Sequence, residues 1–232
     1  MKKITDILPA VLFFVIVAGI FVYSGNLNQR EEKIDPDVIT EATTARYKTE
    51  EILEYKGIRL DPSVGPNDNS IKGIQTVDIG SYNLEINGLV EQNVSLAYDQ
   101  VLEMEAHRRM TTLYCVDGWE ATILWQGVRI SELIGLARPL KNAVTVIFHC
   151  VDGYTTSMPL DIVLERDMLL AYSSNGIVLP AALGYPFIVV AEDKLGYKWA
   201  RWVNGIELSN DRDHAGYWEK LGYSNDAEVR KP

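Results

Sequence analysis

The chain has 232 residues, 47% hydrophobic and 23% charged, which suffices for one or two buried cores and is too apolar for a disordered chain. Its formal net charge of -10 argues against nucleic acid as a partner, because phosphate recognition needs clustered Lys and Arg. Two cysteines, Cys115 and Cys150, give no disulfide framework beyond one conceivable bridge, and no CxxC, CxxCH, HExxH, Walker-type or GxGxxG pattern points to zinc, c-type haem or P-loop chemistry.

Residues 7–23 form an uncharged apolar run behind Lys2 and Lys3, close to the minimum length of a spanning helix. No A-x-A cleavage site follows, so residues 1–27 read as an uncleaved N-terminal transmembrane helix. The two lysines set the N-terminus in the cytoplasm and the remaining chain outside, an extracytoplasmic domain on a membrane anchor. Residues 28–70 are polar and broken by Asp35-Pro36, Asp61-Pro62 and Gly65-Pro66-Asn67; they read as a stalk that ends by wrapping onto the domain at 71–232. Within the stalk, residues 40–55 are expected to form a short amphipathic helix with Ile52 and Leu53 facing inward.

From Ile71 the pattern changes to short strands between turn signals. Tyr82-Asn83-Leu84-Glu85-Ile86 alternates and is turned by Asn87-Gly88. Ser95 is expected to open a helix carrying Tyr98, Val101 and Leu102, and a second helix is expected around residues 132–136. Residues 143–148 read as a buried strand, and Pro159 opens a third short helix, where proline suits the first turn. Strands at 169–173, 186–191 and 197–208 complete an α+β organisation around mixed or antiparallel sheet.

The chemistry is placed at Cys115-Val116-Asp117-Gly118-Trp119, where a strand runs into a thiol two residues from a carboxylate. Such a thiol serves as a soft-metal ligand, as a nucleophile, or merely as a small buried side chain, and local spacing leaves all three open. The nucleophile reading lacks a base, since His107, His149 and His214 have no evident position beside it. Cys150-Val151-Asp152-Gly153-Tyr154 repeats the pattern, and the two Asp-Gly turns are expected at the same edge of one sheet.

Taken together, these segments resemble the molybdopterin-binding domain of the sulfite oxidase superfamily, over roughly residues 82–223. The anchors are Ile86-Asn87-Gly88-Leu89-Val90, the Cys115 segment with Trp125-Gln126-Gly127-Val128, Asp152-Gly153-Tyr154, Gly184-Tyr185-Pro186, Gly196-Tyr197-Lys198-Trp199 and Gly216-Tyr217-Trp218-Glu219. The pattern is most similar to periplasmic methionine sulfoxide reductase catalytic subunits.

The resemblance implies a sulfite-oxidase-type fold of mixed β-sheet with short helices, and a molybdopterin (Mo-pterin) cofactor whose metal is ligated by Cys115. It also implies a membrane-anchored oxidoreductase performing oxygen-atom transfer. Asp117 would handle protons or position water beside the metal, or else be a plain Asp-Gly turn. Cys150 would line the cofactor or sit buried in its strand. Lys198, Trp199, Ala200 and Arg201 match the segment that holds the cofactor phosphate, with Arg201 as bidentate partner. Asn67 or Asn69 would supply the Asn-aromatic element that lies on the pterin.

The chain lacks a haem motif, so electrons would pass through a separate redox partner, a cytochrome or quinone-linked protein. It also departs from the family. Leu183 and Ile188 stand where a polar residue and an arginine are common, no twin-arginine pair precedes the apolar run, and the arginine-rich continuation of true sulfite oxidases is missing. These departures keep an alternative open: a cofactor-free member of the fold acting as an extracytoplasmic ligand- or partner-binding module, with Cys115 and Cys150 bridged.

Overall fold

The structure, a computed structural model, describes residues 49–63 and 69–229; the expected anchor at 1–27 lies outside them. Among the described residues no helix is long and apolar enough to cross a membrane. The alternation in Asn83–Gly88 (β3) buries Leu84 and Ile86 and leaves Asn83 and Glu85 outside, as a strand covered on one face requires. Thr145–Cys150 (β7) is buried at every position but one and lies inside its sheet. That sheet runs β4-β3-β12-β7-β8, with Val94–Ala97 (β4), Thr155–Pro159 (β8) and Val203–Ser209 (β12). It is mixed, because β12 is parallel to β3 and antiparallel to β7.

The second sheet is antiparallel, in the order β10-β9-β6-β5 with β11 also on β9. Its strands are His107–Tyr114 (β5), Glu120–Arg129 (β6), Leu169–Ser174 (β9), Ile177–Val178 (β10) and Ile188–Val190 (β11). Among the described residues the short helices Tyr98–Leu102 (α1), Ile130–Ala137 (α2) and Leu160–Glu165 (α3) accompany the sheets. In α2 the buried residues Ile130, Leu133, Ile134 and Ala137 make one stripe at helical spacing. Trp125, Phe148, Phe187 and Trp202 are fully buried in one continuous core.

Four expectations are corrected. Ser95 lies within β4, and the helix starts after Ala97, whose N–H donates to Gln100 Oε1 at 2.9 Å. Residues 197–202 are not strand: a 3-10 turn at Gly196–Lys198 precedes Trp202 at φ 54, and β12 begins at Val203. In the stalk, Ile52 and Leu53 are exposed, and Glu54–Tyr55 (β1) pairs with Ile58–Arg59 (β2) instead of continuing a helix. The two-residue turn Lys56-Gly57, at φ 51 and 77, selects that hairpin. Finally, the two Asp-Gly turns do not share a sheet: one joins β5 to β6, the other β7 to β8.

Candidate active site

The two turns are built alike. Cys115 N–H donates to Trp119 O at 2.9 Å and Gly118 N–H to Cys115 O at 3.1 Å; Cys150 N–H donates to Tyr154 O at 3.0 Å and Gly153 N–H to Cys150 O at 2.9 Å. The glycines, at φ 86 and 85, take the left-handed position that lets each chain reverse. Each turn sends its Asp, Asp117 and Asp152, into the wall of one cavity of about 500 Å³. That volume lies within the range of small-molecule and cofactor sites.

Cys115 lines this cavity as a half-buried free thiol. Its Sγ lies 3.8 Å from Asp117 Oδ2, and Asn69 Nδ2 donates to both, at 3.4 Å to the sulfur and 2.8 Å to the carboxylate. Burial pushes the Cys115 thiol up; backbone N–H groups of the turn pull the other way and the Asp117 charge adds to the rise. A thiol held protonated is a poor nucleophile, and the hydrogen-bond partners of Sγ among the described residues include no histidine. Asn67 lies outside the described residues; Asn69 is the member of the expected pair that reaches the thiol.

Trp199, Arg201 and Trp202 form another part of the wall. Trp199 is buried against Trp125, with ring centroids 5.7 Å apart, and donates from Nε1 to Lys194 O at 3.0 Å. Arg201 lies 4.9 Å over the Trp202 ring and donates from Nη1 to Ala182 O at 3.0 Å. Gly184, at φ 113, leaves room for it: a Cβ there would stand 2.7 Å from Arg201 Cβ. Leu183 and Ile188 are both buried and both line the cavity.

The other expected site residues lie behind this wall. Cys150 is 5% exposed within the core and is not among the lining residues. Ala200 is fully buried, its carbonyl accepting from Val189 N–H at 2.9 Å. Lys198 is also fully buried, donating to Ser157 O at 2.9 Å, Glu219 Oε1 at 2.5 Å and Asn225 Oδ1 at 2.8 Å. Burial draws Lys198 below the ordinary lysine range even with Glu219 beside it.

This buried pair anchors a wall that sequence reasoning did not place. Tyr217, Trp218 and Tyr223 line the cavity and stack edge to edge, with centroids 5.3 Å apart in each step. Glu219, inside that run, also accepts from Thr156 Oγ1 at 2.8 Å. The signal was Gly216-Tyr217-Trp218-Glu219 itself; the Cys150 echo likewise pointed to Asp152 without showing that it faces Asp117's cavity.

Comparison with known proteins bears on this arrangement. Residues 71–218 match the family described as Oxidoreductase molybdopterin binding domain. The chain is 34% identical over 147 residues to the uncharacterized oxidoreductase YuiH of Bacillus subtilis, covering 63% of this chain and 74% of that protein. It is 32% identical over 151 residues to a putative protein-methionine-sulfoxide reductase subunit, YedZ1, of Azospira oryzae, covering 65% and 57%. To mitochondrial sulfite oxidase of Mus musculus it is 25% identical over 180 residues, covering 65% and 33%. The chain therefore spans about three quarters of the first relative but only 57% and 33% of the other two. Among solved structures, a chain of the sulfane dehydrogenase SoxCD from Paracoccus pantotrophus superposes with TM-score 0.58 at 21% identity, covering 60% of this chain and 41% of that one, a likeness of fold. With most of its length matched, the chain belongs to the molybdopterin-binding oxidoreductase domain family of the sulfite oxidase superfamily.

Proposed function

We propose that this cavity holds a molybdenum-pterin cofactor and that the chain is an oxygen-atom-transfer oxidoreductase, with Cys115 Sγ as the protein's ligand to molybdenum. The observation that carries the reading is the free Cys115 thiol in the wall of a cavity of about 500 Å³ that Arg201 also lines. The residues present fit the group. A soft thiolate suits a high-valent metal, and coordination removes the proton that burial otherwise retains. Trp119 Nε1, buried in the same wall, has no hydrogen-bond partner among the described residues, which a ligand bearing acceptors corrects. Arg201 is the one cation among the described lining residues and would take the cofactor phosphate, with Trp199 beside it. Lys198, Ala200 and Cys150 would support that segment from behind.

When bound, such a cofactor supplies two-electron chemistry and oxygen-atom transfer. Asp117, its carboxylate oriented by Asn69, would relay protons or position water beside the thiolate. With Arg201 engaged by phosphate, the remaining charges of the lining are Asp117 and Asp152, an environment that disfavours sulfite-like anions and suits a neutral sulfoxide or thioether. The relatives named as methionine-sulfoxide reductases point the same way. Electrons would come from or go to a separate redox protein, and an anchor at 1–27 would hold the domain on the outer face of the membrane.

Elemental and pterin analysis of the full chain from a molybdenum-competent host tests the reading: about one metal atom and one pterin per chain are expected, and neither in Cys115→Ala. A cofactor-free binding module remains the second reading, favoured by the apolar Leu183 and Ile188 in the wall, and it predicts a metal-free protein.

A further inference from the structure

The segment before the family match supplies part of the cavity. Ser63 lines it, is 0% exposed, and its Oγ has no hydrogen-bond partner among the described residues. The match begins at residue 71, so Ser63 belongs to the arm that the sequence presents as stalk.

That arm is fastened along its length to the second sheet. Ile52 N–H donates to Asn175 O and Asn175 Nδ2 to Asp61 O, both at 2.8 Å. Asp61 N–H donates to Thr122 O at 2.9 Å, and Thr122 N–H returns a bond to Asp61 Oδ2 at 2.8 Å. Closer still, Ser63 N–H donates to Glu51 Oε1 at 3.0 Å. These bonds hold the backbone of Ser63 in place, and its side chain has no exposure to water. A buried hydroxyl left unpaired is unfavourable, and here it stands in the wall of a cavity suited to a ligand.

We infer that Ser63 is a cofactor-binding residue: its Oγ–H donates to an accepting oxygen or nitrogen of the bound pterin cofactor. The arm is thereby a retaining element of the site. The assignment rests on the proposed function above. Leu183 and Ile188 contribute apolar surface to the same lining, and Ser63 adds a polar group from a different part of the chain.

The test is Ser63→Ala, which removes the hydroxyl alone, with the full chain produced both in pterin-competent and in pterin-deficient cells. The measurements are pterin content per chain, the rate of pterin release on dilution, and Tm of both forms. Pterin-free Ser63→Ala is expected to melt at or slightly above the pterin-free parent, since an unpaired buried group is gone. The loaded variant is expected to release pterin roughly 5- to 100-fold faster and to show a smaller Tm gain from loading. A loaded variant that retains pterin like the parent overturns the assignment, and so does a pterin-free variant that melts well below its parent, which would make the hydroxyl structural. If the parent chain itself carries no pterin, the proposed function fails and the Ser63 assignment with it.

Discussion

Cys115 and Cys150 occupy the same place in two identically bonded turns on different sheets, yet one thiol meets the cavity and the other is packed in the core. The backbone therefore does not decide which sulfur is available. What stands in front of each turn decides it: Asn69 and open space before Cys115, packed side chains of the core around Cys150.

This difference gives opposite outcomes for the same substitution. Cys115→Ala should fold with the Tm of the cofactor-free parent and contain no molybdenum. Cys150→Ala should lose roughly 1 kcal/mol of stability by opening a small void while keeping its metal. Metal content and chemical denaturation of the two variants check this together.

Gly184 and Arg201 form a second dependent pair. An alanine at 184 must adopt φ near 113 and place its Cβ 2.7 Å from Arg201 Cβ, so either the backbone shifts or the arginine leaves the wall. Gly184→Ala should destabilise the chain by about 1–3 kcal/mol and weaken pterin retention. Arg201→Gln should weaken retention about tenfold or more with little loss of fold stability. Dialysis against buffer followed by pterin fluorescence separates the two effects.

The buried Lys198–Glu219 pair predicts strong non-additivity. Removing one partner by Lys198→Met or Glu219→Gln leaves the other without its counterpart in a dry environment and should cost about 3–5 kcal/mol. The double replacement Lys198→Met with Glu219→Gln should cost much less than the sum of the two. A double-mutant cycle in urea measures the coupling, and additive losses would count against the pair as the tail's anchor.

Glu228 sets an acid limit. Partial burial works against its ionised form, but hydrogen bonds from Lys194 and Arg166 outweigh that and hold the carboxyl below its ordinary value of 4.5. Between that lowered value and 4.5 the unfolded chain binds more protons than the folded one, so stability falls as the medium is acidified through this window. Glu228→Gln should therefore lower Tm at neutral pH, with the difference from the parent shrinking below pH 4.5. A parallel Tm-against-pH series for both proteins tests it.

Much of the framework was legible in local pattern. Alternation marked β3, a continuous apolar run marked β7 and Pro159 marked α3, whereas the Cys115 segment was singled out only with the family resemblance. What could not be read depends on contacts between distant residues. Lys198 carries the same side chain whether it lies in water or, as here, faces Glu219 with 0% exposure. The aromatic wall required Thr155 and Thr156 to meet Tyr217 and Glu219 across about sixty residues of chain. The helix expected at 40–55 does not run through to Tyr55, because Lys56-Gly57 turns Glu54–Tyr55 back onto Ile58–Arg59.

The lining draws on Ser63 ahead of the family match and on Tyr223 beyond it, and the final described stretch is tied down by Leu195 N–H to Ala227 O and Val229 N–H to Asp193 O. The cavity wall is therefore incomplete in any chain that stops short of Tyr223, and a truncation after Trp218 should leave an open cavity.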